Sequence, residues 1–362
     1  MEDDDSVRNL VHDAVHIRSS DGDEDELYSA FLAQVAELRG FGSDAVEAAR
    51  ELFREGTTDE REAAVDLLGR LVFEAPQALR DVCFESLVEL LHVEQAGPDD
   101  AQVLAAIGYA LGHLEDDRAV PHLIRLADHV SEEVRLAAAS SLPSAMGWQL
   151  DRPYPEAVDA LLRLSGDADE EVRDWATFGL GTTGADSDEV RAALAARLDD
   201  PDEDTRAEAF MALAKLRDDR VVVPLLAELD RDTVGTLDVE AAGESADSRF
   251  FPILTRIAEW WPDDGDLWRL HRALNRCDPS LRASALTTQQ RLAQIVGDEL
   301  AASDAPAAAV SIVGTFPDTR LVVTGTGQFE WKVWEDTDPV ALDPVEFGAV
   351  IVAQTLGESQ PE

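Results

Sequence analysis

His12 and His16 stand four residues apart with Asp13 between them. On a helix that spacing sets both imidazoles on one face, which is one geometry for a pair of metal ligands. The pair supplies only two ligands, and His92, His113, His122, His129 and His271 are scattered, so no metal site is expected. Cys83 and Cys277 lie far apart in apolar helical contexts. They form neither a disulfide framework nor a zinc spacing and read as small buried hydrophobes. No Gly-x-Ser-x-Gly and no phosphate-binding glycine loop occurs, and Gly325-Thr-Gly327 reads as a hairpin turn. Carboxylates crowd the whole chain, so no catalytic pair stands out from the surface charge. The expected chemistry is therefore binding, with no catalytic residue and no cofactor.

The residues suited to binding form a row. Arg135 leads it, followed by Arg173, Trp175 and Phe178, then Arg206, Glu208 and Met211. Arginine and aromatic side chains are the types that dominate protein interfaces. The same row has a purely structural reading, in which each arginine pairs with acids of a neighbouring element and Trp175 fills a core.

The elements that must position this row repeat along the chain. Ser131-Glu-Glu-Val-Arg-Leu-Ala-Ala-Ala-Ser-Ser-Leu142, Asp169-Glu-Glu-Val-Arg-Asp-Trp-Ala-Thr-Phe-Gly-Leu180 and Asp202-Glu-Asp-Thr-Arg-Ala-Glu-Ala-Phe-Met-Ala-Leu213 lie over one another residue for residue. Each opens on a side-chain oxygen suited to an N-cap, followed by acids that complement the positive end of the helix dipole. Small or apolar residues then recur every fourth position, as in Val134, Ala138, Leu142 and Val172, Ala176, Leu180, one face of a helix. A shorter amphipathic helix precedes each phrase, for example Arg118 to Leu126 and Val221 to Leu229, with Pro121 and Pro224 near the starts, where a missing N–H costs least. Val134, Val172 and Thr205 are 38 and 33 residues apart, the period of helix-pair solenoids. Weaker copies extend the pattern over about residues 40–280. In such arrays the second helices line a concave face where partners bind, and the arginine–aromatic row falls on those helices.

Ala110-Leu-Gly-His-Leu-Glu-Asp-Asp-Arg118, its continuation Arg118-Ala-Val-Pro-His-Leu-Ile124, and Glu133-Val-Arg-Leu-Ala-Ala-Ala139 resemble the short HEAT-like repeats named after phycobilisome (bilin) lyases. Glu171-Val-Arg-Asp-Trp-Ala-Thr-Phe-Gly-Leu-Gly181 resembles a phrase of bacterial HEAT-repeat proteins. The resemblance implies a mainly α fold, an α-solenoid of roughly seven HEAT-like helix pairs, here followed by a small α+β module. For function it implies a non-enzymatic adaptor or scaffold, with an inhibitor or immunity protein as one version. A lyase-like component acting on a cofactor or a modified protein is the alternative. HEAT-repeat iron-dependent hydroxylases carry His-Glu dipeptides, and this chain has none.

The expected organisation is an acidic, partly disordered segment over 1–25, the solenoid over 26–284, the α+β module over 285–357 and a tail over 358–362. A short helix is expected around Val7 to Ile17. Strands are expected at Ala308 to Gly314, Arg320 to Thr324 and Phe329 to Trp334, with a last helix over Pro344 to Leu356. Phe250, Phe251, Trp260, Trp261 and Trp268 are expected at the seam between array and module.

The chain carries 75 acidic against 30 basic residues, a formal charge of −45, and its only lysines are Lys215 and Lys332. A high-salt cytoplasm or a high-GC genome accounts for such a balance without reference to function. The functional reading is an acidic face for a basic or extended protein segment. Both disfavour nucleic acid, whose phosphates need lysine and arginine. The acidic start is unlike a signal peptide, and no apolar run has the roughly 20 residues of a membrane span, so a cytoplasmic protein is expected.

Overall fold

The computed structural model describes residues 2–18, 20, 24–97, 99–147, 154–262, 267–303, 309–314, 316–324, 328–332 and 344–356. The expected turn at Gly325 and Gly327 and the tail over 358–362 lie outside the described residues. Contacts divide the chain into two compact units, Met1–Ala212 and Leu213–Glu362.

The first unit begins with α1 (Glu2–Arg18) and α2 (Glu24–Leu38). The first helix is longer than expected because Val7, Val11, Ala14 and Val15 fall on one face and are buried, where α1 packs on α2, α3 (Ser43–Glu55) and α4 (Thr58–Leu71). Then come α5 (Gln77–Ala96) with α6 (Ala101–His113), and α7 (Val120–Leu126) with α8 (Glu132–Ala145). Next are α9 (Pro155–Leu164) with α10 (Glu170–Thr182), and α11 (Asp188–Ala196) with α12 (Glu203–Lys215), whose last three residues belong to the second unit. The second helices stack side by side, α4 on α6, α6 on α8 and α8 on α10. Small residues allow the close approach: a Cβ added to Gly69 would lie 3.0 Å from the Ala110 Cβ, and one on Gly108 would lie 3.0 Å from the Ala137 Cβ.

The second unit continues the pattern with α13 (Val222–Leu229) and α14 (Thr236–Ser245), then α15 (Phe251–Ile257) and α16 (Leu267–Cys277). Seven helix pairs thus run from α3 to α16. Beyond them, α17 (Pro279–Ala302) leads to an antiparallel sheet of β1 (Ala309–Val313), β2 (Arg320–Thr324) and β3 (Gln328–Lys332), followed by α18 (Pro344–Leu356). The sheet order is β1-β2-β3, with Ser311 opposite Val322 and Val322 opposite Glu330. Leu321 and Val323 of β2 close a core with Leu292, Val296 and Leu300 of α17 and Ile351 of α18.

The seam within this unit differs from the aromatic one expected. Phe250 is buried, but Trp260 and Trp268 remain about half exposed, at 50% and 53%. The link is ionic. Arg276, buried on α16, donates from Nε to the Gly243 carbonyl (2.7 Å) and from Nη2 to Asp318 in the β1–β2 loop (3.4 Å). Arg217 donates to the same carboxylate at 2.9 Å. Among the described residues, no helix is long and apolar enough to cross a membrane.

Candidate functional site

The second helices of the first unit are set by their caps and by the turns before them. The Asp169 carboxylate accepts from the Val172 N–H (3.1 Å), and that of Asp202 from the Thr205 N–H (2.7 Å). Two residues ahead of each cap stands another aspartate. Asp167 accepts from the Asp169 N–H at 3.0 Å, and Asp200 from the Asp202 N–H at 3.1 Å.

These two aspartates receive the arginines of the preceding repeat. Arg135 donates to Asp167 from Nε (2.7 Å) and Nη2 (2.9 Å). Arg173 donates to Asp200 from Nε (3.0 Å) and Nη2 (2.8 Å). The remaining Nη1 of each turns back to its own loop, Arg135 to the carbonyls of His129 and Val130 and Arg173 to those of Asp167 and Ala168. Arg206 repeats this last contact with the carbonyls of Asp200 and Pro201. Each arginine therefore closes one turn, and Arg135 and Arg173 also fasten it to the next. A fork of five donors meeting a carboxylate on two atoms suits that task in a way a lysine could not. The ion pair and hydrogen bond with Asp200 push the Arg173 guanidinium further up. Burial alone would raise the Asp200 carboxyl, yet the Arg173 hydrogen bonds, the Asp202 N–H and the charges of Arg173 and Arg197 outweigh it and hold the group below the usual range.

Of the row expected from the sequence, the structure leaves Trp175 exposed, half-buries Phe178 and turns the cationic part inward. Trp175 is 42% exposed and meets Phe178 edge to face, with ring centroids 5.7 Å apart and planes at 83°. Arg173 is buried, Arg135 and Arg206 are half-buried in their turns, Glu208 is half-buried and Met211 is buried. Binding through the three arginines would require these turns to open.

Asp174 was not singled out by sequence reasoning. It occupies the column of Leu136 and Ala207, so a carboxylate in an otherwise apolar column was the signal available. It sits half-buried beside Trp175 and one helical turn before Phe178. Burial first, then the like charges of Asp204, Asp202 and Glu171, push its carboxyl up to about 6. No cation is among the groups acting on it, and its Oδ1 is buried without a hydrogen-bond partner. Tyr109 of α6, partly exposed, has its phenol pushed up by burial and by Glu171 and Glu133, both exposed, on α10 and α8 of the same stack. The arginines that would neutralise these acids are spent in the turns.

The raised Asp174 carboxyl has a stability consequence. Near pH 5 the folded chain holds this proton and the unfolded chain, with an ordinary aspartate at about 4, has released it. Stability from this group therefore falls as pH rises from about 4 to about 6 and is level above. Asp174→Asn is expected to unfold at higher urea than the native chain at pH 7 and at the same urea below about pH 4. Equal midpoints at both pH values would mean that the carboxylate is relieved by some other contact.

His12 and His16 lie exposed on α1. Among the described residues, no group of three or more His, Cys, Asp or Glu side chains is placed to hold a metal ion. Cys83 and Cys277 are buried and unbridged, and burial pushes both thiols up to about 12.

The family model described as HEAT repeats matches residues 84–181 and 158–246. Protein YibA of Escherichia coli (strain K12) is 32% identical over 107 residues, which cover 30% of this chain and 38% of YibA. The crystal structure of YibA aligns over 76% of this chain and 94% of its own, with 22% identity and a TM-score of 0.55, a likeness of fold. The CpcE–CpcF complex of phycocyanin lyase from Nostoc aligns over 73% of this chain and 93% of its own, at 15% identity and a TM-score of 0.36. That likeness is too loose to carry chemistry.

Proposed function

This chain is a HEAT-repeat protein, and from that premise we propose that it is a non-enzymatic scaffold, cytoplasmic, that holds a basic, extended protein segment across the second helices of its first unit. The observation that supports this most is an exposed Trp175, set edge to face on Phe178, next to the Asp174 carboxylate, on which no cation of the described residues acts. Aromatic rings offer contact area at low entropic cost, and complementary charge speeds encounter and selects the partner. An inhibitor or immunity protein is one use of such a face, in which the bound segment belongs to a basic protein whose active region is covered.

The test is a titration of the full chain with a short flexible peptide rich in lysine and arginine, followed by hydrogen exchange. Protection is expected on α6, α8 and α10, with affinity falling steeply as salt rises from about 50 to 200 mM because the contacts are exposed charges. No binding, or protection confined to residues 213–362, would overturn the assignment.

A further inference from the structure

We propose that the second-helix face receives an arginine of its partner, the guanidinium lying on the exposed indole of Trp175 and hydrogen-bonding the carboxylate of Asp174. This rests on the scaffold reading above and states what the bound segment must carry at that point.

The inference comes from how the chain treats its own arginines. Arg61 lies over the Phe53 ring at 4.9 Å and pairs with the buried carboxylate of Glu94. Arg118 lies over Phe84 at 4.4 Å and pairs with Asp81 (2.7 Å) and Asp116 (2.6 Å). Arg269 lies over Trp268 at 4.8 Å and pairs with Glu240. Arg18 and Arg70 do the same over the Tyr28 ring, at 6.0 and 5.6 Å, while both pair with Asp66, so the unit of ring, guanidinium and carboxylate recurs among the described residues. At Asp174 and Trp175 of α10 the carboxylate and the ring are present, and among the described residues no guanidinium joins them. Among the described residues, no cation lies over Trp175 and none bonds to Asp174.

The neighbours cannot supply the missing group. Glu171, Asp202 and Asp204 add negative charge around Asp174. Arg173 is held by Asp200, and Arg206 turns to the carbonyls of Asp200 and Pro201. Among the described residues no cation is placed to fill the gap, and on this proposal the partner supplies it. Arginine suits the place better than lysine, because a planar, weakly hydrated guanidinium stacks on an indole while its edge still donates to a carboxylate.

The experiment compares two labelled peptides on the full chain, one alternating arginine with glycine and one alternating lysine with glycine, at the same ionic strength. The arginine peptide is expected to bind about tenfold more tightly, the scale of a desolvated cation–π contact with a paired charge. Trp175→Ala and Asp174→Asn are each expected to abolish that preference while circular dichroism shows the fold intact. Glu171→Arg, one helical turn before Trp175, supplies a guanidinium from within and is expected to remove the preference as well. Equal affinities for the two peptides, or a preference that survives Trp175→Ala and Asp174→Asn, would overturn the inference and leave the scaffold reading standing. Failure of both peptides to bind would overturn both.

Discussion

Arg173→Ala is expected to destabilise the first unit by about 3 kcal/mol, the usual cost of leaving one member of a buried ion pair alone. Arg173 is 8% exposed and Asp200 6%, so solvent cannot replace the lost contacts. Four hydrogen bonds vanish together, two to Asp200 and two to the carbonyls of Asp167 and Ala168. Asp200 keeps the Asp202 N–H and a contact with Arg197 at 3.2 Å, which holds the loss below that of a fully orphaned charge. The check is the urea midpoint of the variant against the native chain.

Two further measurements separate the clamp from simple loss of bulk. Arg173→Met combined with Asp200→Asn leaves no buried charge and is expected to recover most of the stability, since a buried pair replaced by matched neutral groups costs little. The Asp200 carboxyl is held below its usual range in the folded chain. Its contribution is therefore present above the unfolded value near 4 and lost as pH falls through the depressed one. Native and Arg173→Ala curves should converge in acid. An unchanged midpoint at pH 7 would show that the repeats are held by packing alone. A charge reversal at Arg173 would likewise report on the joint between repeats and not on partner binding.

Gly112→Val is the second large effect, again expected at about 3 kcal/mol of destabilisation. Propensity alone says the opposite, because replacing a helical glycine gains up to about 1 kcal/mol with alanine and somewhat less with valine. The contact decides. A Cβ on Gly112 would lie 2.6 Å from the Ser141 Oγ, 2.7 Å from its Cβ and 3.1 Å from its Cα. The hydroxyl can rotate away, but the Cβ and backbone cannot, so α6 and α8 must part along their shared face. Ser141→Gly is expected to relieve part of the cost. Gly297 of α17 has nothing within 4 Å of an added Cβ, and Gly297→Ala is expected to be neutral or stabilising by up to about 1 kcal/mol. If Gly112→Val proved as mild as Gly297→Ala, close approach of the second helices would not be what holds this stack.

The alternation of first and second helices, their caps and the strands after residue 300 were legible in the sequence. These features are local. A cap acts within three residues, and a helical stripe or a strand alternation is complete within about a dozen. Glu2–Arg18 was legible only in part, because its acids mask a stripe whose value depends on the three helices that bury it.

The candidate site was legible by residue type and not by direction. Arg173 and Trp175 are two positions apart, on different sides of α10, and nothing in their spacing says which side meets the next repeat. That depended on Asp200, 27 residues further on and presented by a turn whose own hydrogen bonds aim it. Asp174 left one trace in the sequence, a carboxylate in the column of Leu136 and Ala207, but only the structure shows that it is half-buried with no cation acting on it. By itself, then, the sequence determined a HEAT-type array, its acidic character and the helix that bears the aromatic pair, since all three follow from short-range pattern and composition. Only the tertiary structure decided that the arginines serve as clamps and that an unneutralised carboxylate lies beside an exposed indole. The physical reason is that the environment of a charge is set by groups far away in the chain, brought near by packing.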